Sequence, residues 1–124
     1  MDLIRFRASF SPQQKIAIVG SLFRMAFADG DFSEEEVEFV VAICELLGYE
    51  VKEEEIKSYV ADPLFYLNSL LDLNEAQKIW YCRALYYMLV MDGKVDIREL
   101  DKLAEYLEIL GIDQDTFYRF IQME

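Results

Sequence analysis

An all-α bundle is predicted from three features of this sequence. Its two prolines each stand directly behind a helix-capping residue, no stretch alternates apolar and polar residues as a strand would, and one helical segment is written twice. The copies are "ADGDFSEEEVEFVVAICELLG" from Ala28 to Gly48 and "MDGKVDIRELDKLAEYLEILG" from Met91 to Gly111. About seven helices built from two pseudo-twofold-related helical hairpins are expected.

The elements follow in order. Residues 2–8 read as a short amphipathic turn. Ser11-Pro12 opens a helix over 12–28: Ser caps, Pro takes the first helical position and Gln14 sits at N3. Ser33 and Glu36 form a capping box for 34–47, and Asp96 and Glu99 do the same for 97–110. Further helices are read over 52–61, 63–71 (behind Asp62-Pro63), 75–91 and 114–122. In "LDKLAEYLEIL", Leu100, Leu103, Ala104, Leu107 and Leu110 make one apolar stripe. "IAIVGSLFRMAFA" and "AQKIWYCRALYYMLVM" are apolar nearly all round, which places both at the centre of a bundle.

Setting Ser11–Gly48 over Asn74–Gly111 without gaps gives identities at Gln14/Gln77, Lys15/Lys78, Ile16/Ile79, Leu22/Leu85, Met25/Met88, Asp29/Asp92, Gly30/Gly93, Glu36/Glu99, Glu45/Glu108, Leu47/Leu110 and Gly48/Gly111. Caps, turn glycines and apolar stripe stay in phase together. Two copies bury what one hairpin cannot. The 124 residues suit one domain, residues 1–124, with repeat units at about 11–48 and 74–111.

Most of the repeated residues have an architectural reason. Gly30 and Gly93 end helices where a left-handed backbone is needed. Phe32 and Val95 are placed to staple onto Val37 and Leu100. Gly48-Tyr49 and Gly111-Ile112 read as Schellman endings. Asp29 and Asp92 are different, because each sits in the last turn of its helix, where an anion costs about 0.3–1 kcal/mol against the macrodipole. Three compensations are open: an Asx bond to the following loop, a bound cation, or a lysine from the other repeat. Lys15 lies about 21 Å along its own helix from Asp29, out of reach. If the central helices run antiparallel, Lys15 approaches Asp92 and Lys78 approaches Asp29.

The cation reading has a template. "DGDFSEEE" and "DGKVDIRE" match the second half of an EF-hand loop, but positions 1 and 3 would be Met25 and Phe27, or Met88 and Val90. Those cannot ligate calcium, so a true EF-hand is rejected. A shallower oxygen site remains, with Asp29, Asp31 and Glu36, or Asp92, Asp96 and Glu99, as ligands for Ca²⁺ or Mg²⁺. Capping explains more of these residues with less assumption.

At these residues the chain resembles the TerB-like family, the helical domain of tellurite-resistance proteins that recurs at the N-terminus of a DnaJ-type co-chaperone. Ala28-Asp29-Gly30 with Glu36 carries the resemblance, and Asp92-Gly93 with Glu99 repeats it, with Met91 where the first copy has Ala28. It spans roughly residues 10–120. The resemblance implies a compact bundle with an acidic face that takes divalent cations and serves protein complexes in stress responses.

Composition narrows the function classes. The net charge of −12 argues against a nucleic-acid groove and against an anionic membrane surface. It fits cation attraction or a basic partner. There is no histidine, Gly-rich phosphate loop or nucleophile motif, so no enzyme is expected. Cys44 and Cys82, outside any metal spacing, read as buried hydrophobes in a reducing compartment. With no signal peptide and no apolar run of about 18 residues, a cytoplasmic protein without membrane insertion is expected. A protein partner, unidentified, would be met as monomer or homodimer, through surplus aromatics such as Tyr66, Trp80, Tyr86 or Tyr87. The run "KEEEIK" at 52–57 reads as a wet helix face.

Overall fold

The helices that follow Ser11, Ser33, Asn74 and Asp113 begin where a side chain takes up a backbone N–H that lacks a carbonyl partner. The computed structural model describes residues 9–26, 33–61, 67–90 and 97–122. These hold α1 (Pro12–Ala26), α2 (Glu34–Leu47), α3 (Glu53–Ala61), α4 (Leu67–Leu71), α5 (Glu75–Val90), α6 (Ile97–Leu110) and α7 (Gln114–Gln122). The protein is all-α, with no strand among the described residues. Residues 2–8 and 63–66, the ends of the expected central helices, the glycines Gly30 and Gly93 and the staples from Phe32 and Val95 lie outside the described residues.

The caps have the expected form. Ser11 Oγ accepts from the Gln14 N–H at 3.2 Å while Gln14 Oε1 accepts from the Ser11 N–H at 2.8 Å. Asn74 and Gln77 repeat this at α5, at 2.9 and 2.8 Å. Ser33 and Glu36 close the box on α2. Gly48 and Gly111 are left-handed, at φ +64° and +69°. The N–H groups of Tyr49 and Ile112 return to the Cys44 and Leu107 carbonyls, each at 2.9 Å, which completes both Schellman endings.

The two halves bury the same positions. Ala17, Ile18, Val19, Leu22 and Met25 of α1 match Trp80, Tyr81, Cys82, Leu85 and Met88 of α5, all in the core. Val40, Ile43 and Leu47 of α2 match Leu103, Tyr106 and Leu110 of α6. A large apolar side chain taken fully out of water contributes about 1.5–3 kcal/mol, so this shared core supplies most of the drive to fold. The packing is reciprocal in part. α2 lies mainly on α1 and touches α5, α6 is shared between α1 and α5, and α3 covers α1 as α7 covers α5. The repeat therefore runs one helix beyond Gly48 and Gly111, with a two-residue shift caused by the longer link before α3. α4, packed on α1 and α6, has no counterpart among the described residues.

Two hydrogen-bonded contacts fix the direction of the central pair. Gln77 Nε2 donates to Gln14 Oε1 at 3.3 Å, and four residues further along α5 the Tyr81 hydroxyl donates to Ser21 Oγ. Antiparallel helices meeting at Gln14 and Gln77 would leave Ser21 and Tyr81 about 16 Å apart along the axis. α1 and α5 therefore run in the same sense where they touch, and the repeated glutamines sit on the pseudo-twofold axis.

The expected stripe of α6 is also corrected. Its buried face is Glu99, Leu103, Tyr106 and Leu110. Leu100 is 44% exposed, Ala104 is exposed and Leu107 is half-buried. Tyr106 and Glu99 take the inward positions because their matched residues in α2, Ile43 and Glu36, are inward too.

Candidate functional site

Six carboxylates were singled out by the repeat. Asp29, Asp31, Asp92 and Asp96 lie outside the described residues, while Glu36 and Glu99 are placed. Glu36 is 2% exposed and Glu99 is 3% exposed, in the third position of α2 and α6 respectively. An N3 glutamate usually caps from the surface. Here Glu36, which closes a capping box, and Glu99 at the matched position are both folded into the bundle, flanked by the core residues one and two turns on.

The Glu36 site is built locally. Ser33 holds an extended backbone, at φ −67° and ψ 159°, and its Oγ accepts from the Glu36 N–H at 3.2 Å. Glu36 Oε1 accepts in return from the Ser33 N–H at 3.3 Å. The positive end of the α2 dipole favours a carboxylate at this depth. Hard carboxylate oxygens are the donors that Ca²⁺ and Mg²⁺ take. Among the described residues no group of three or more His, Cys, Asp or Glu could hold a metal ion.

Pairing of Lys15 with Asp92 and of Lys78 with Asp29 required antiparallel central helices. With α1 and α5 running in the same sense, Lys15 lies beside the Gln77 end of α5. That antiparallel arrangement is not the one found, and the pairing itself lies outside the described residues with Asp29 and Asp92.

Other expectations are met in the core. Cys44 and Cys82 are free and buried, and burial pushes the Cys82 thiol up to about 12 and raises Cys44 as well. Trp80, offered above as a surface for a partner, is instead buried in the core, with its ring 5.2 Å from that of Phe10. Tyr66 lies outside the described residues. The 52–57 run is a wet face: Glu53 and Lys57 pair at 3.0 Å in nearly full solvent, worth little to stability.

Three polar features escaped the sequence reading. The inward burial of Glu36 and Glu99 is one. The Tyr81–Ser21 bond at the centre of the bundle is another, with Ser21 Oγ in turn donating to the Ile18 carbonyl at 2.8 Å. The third is Arg83, 2% exposed in the core face of α5, whose Nε donates to the Phe120 carbonyl at 2.9 Å. That carbonyl lies in the last turn of α7, where the macrodipole is negative and carbonyls lack partners, so Arg83 caps a helix from within the core. An arginine inside an otherwise apolar helix was the available signal.

An all-helical bundle of two matched halves, each with a buried glutamate in the first turn of α2 or α6, is the class these features define. Residues 3–59 match the family model described as tellurite resistance protein TerB. Over that stretch, which covers the first repeat and reaches into α3, the chain is similar to that family. No curated protein and no solved structure matches the chain. No helix among the described residues is long and apolar enough to cross a membrane.

Proposed function

We propose that this protein is a non-enzymatic TerB-like module, one domain over residues 1–124, that takes divalent cations at its paired acidic turns and acts in a stress response in the cytoplasm. Asp29, Asp31 and Glu36 serve the first turn, and Asp92, Asp96 and Glu99 the second. The observation that carries this reading is the burial of Glu36 and Glu99 at matched positions. A carboxylate folded inward in the first turn of both α2 and α6 would offer a hard donor to a cation held by the aspartates that precede it in sequence. Ca²⁺ or Mg²⁺ would supply charge neutralisation and cross-linking of the turn, with no chemical step.

The test is a thermal melt with and without millimolar Ca²⁺, Mg²⁺ or Mn²⁺, beside Asp29→Asn and Asp92→Asn. Binding to the native state alone at 100 times Kd adds about 2.7 kcal/mol. An upward shift of several degrees in the wild type, reduced in each variant, is expected. No shift in the wild type would reduce the turns to architecture. A second reading, a metal-free protein-interaction module, is favoured by the closed Ser33–Glu36 box, which gives Glu36 a structural task of its own.

A further inference from the structure

The residues that left the core face of α6 did not become polar. Leu100, Ala104 and Leu107 form one wall of a groove of about 580 Å³; Phe117 and Tyr118 of α7 form the other, and Leu89 of α5 lies in its floor. Tyr118 is 48% exposed, so both walls open to solvent. Leu100 to Leu107 spans about 10.5 Å, two helical turns, the length over which a docked helix places anchors at i, i+3 or i+4, and i+7.

Charge says what kind of helix fits. Glu108 is the only charged residue among those described as lining the groove. Asp101, Glu105 and Glu108 follow at helical spacing along the outward edge of α6, all exposed, with Glu105 also meeting Lys102 at 3.2 Å. The whole chain carries −12, so an acidic partner or a second copy is repelled and a basic one is drawn in. An anionic amphiphile such as a fatty acid would face the same carboxylate row.

Comparing the halves shows that folding does not demand this surface. With the two-residue shift, Gln114 and Tyr118 of α7 match Glu53 and Lys57 of α3. The first half carries an exposed ion pair at those positions, where the second carries a groove wall. The same hairpin is completed in both cases.

We propose that the α6/α7 groove docks an amphipathic helix of a partner protein. The partner's apolar stripe lies between Leu100, Ala104 and Leu107 on one side and Phe117 and Tyr118 on the other. Its Lys or Arg residues flank the stripe and face Asp101, Glu105 and Glu108. The proposal rests on the interaction reading above and holds whether or not the turns take a cation.

The experiment uses two labelled synthetic helices of the full amphipathic pattern, one with Lys beside a Leu stripe and one with Glu in place of every Lys. Binding is read by fluorescence anisotropy against the full chain, in EDTA and again in millimolar Ca²⁺. The Lys helix should bind in EDTA and the Glu helix should not. Ala104→Arg and Tyr118→Arg, both at exposed positions, should each weaken binding by about tenfold or more, the scale of losing one good anchor. Val41→Arg on the matching outer face of α2 should leave binding unchanged, and circular dichroism melts establish that all three variants fold. Equal binding of both peptides overturns the proposal, as does binding insensitive to Ala104→Arg and Tyr118→Arg. Two further results overturn it: an anionic apolar dye that fills the groove while neither peptide binds, or a dimer in sedimentation that Ala104→Arg dissolves. The cation reading fails separately, on the melts alone.

Discussion

Arg83 stands where the first repeat has Gly20, and that single difference lets α7 be held from inside the bundle. A buried guanidinium without good partners is costly, and this one is placed on a helix-terminal carbonyl, where its charge is best used. Replacing it with Ala removes a large buried side chain and leaves the Phe120 carbonyl without its donor. Urea unfolding of Arg83→Ala should show a loss of about 2–4 kcal/mol, combining cavity and orphaned acceptor. A loss under about 0.5 kcal/mol, the range of ordinary surface changes, would mean that the bond has no structural weight. At this scale the sequence was partly legible. The spacing of Ser33 and Glu36 gave the cap, because a capping box is a local pattern. It could not give the burial of Glu36 or the partner of Arg83, because Phe120 is 37 residues away and no local pattern connects them.

The helices themselves were drawn closely by caps and glycines. α6 and α7 begin and end where the Asp96–Glu99 spacing, Gly111 and the last apolar positions put them. Gly48 and Gly111 mark the sharpest of these ends. A Cβ added at either meets nothing within 4 Å, so substitution is penalised by backbone alone. Gly48→Ala and Gly111→Ala should each cost about 1–2 kcal/mol, the price of a left-handed L-residue. Asn at the same positions should recover part of the loss, both read as shifts in the melting curve. Equal stability of Ala and Gly would contradict the Schellman geometry. Which face of α6 turns inward was less legible. Counting leucines pointed at Leu100, Ala104 and Leu107, yet the repeat's own register, Glu36 over Glu99 and Ile43 over Tyr106, named the buried row. Hydrophobicity alone cannot separate a core stripe from an apolar groove beside it.

At the scale of the whole molecule, twofold symmetry and acidity dominate. Carboxylates spread over the surface at a net −12 repel one another, and salt screens that repulsion over about 10 Å at 0.1 M. The melting temperature should therefore rise by a few degrees between about 0.01 and 0.5 M NaCl, a range over which the screening length falls severalfold. A flat response would mean that local ion pairs already balance the charge. The repeat was visible in sequence because identities, caps and glycines share one offset. The sense of the central helices was not, since α1 and α5 are apolar nearly all round and such helices pack in either direction. Only Gln77 on Gln14 and Tyr81 on Ser21 decide it. The bond from Arg83 to Phe120 also has a consequence in time. A ribosome adding 5–20 residues each second needs about 2–7 s to travel from one to the other. During that interval α1, α2 and most of α5 are already made, but the Phe120 carbonyl that Arg83 Nε meets is not. The tie from α5 to α7 is therefore among the last contacts of the bundle that synthesis makes possible.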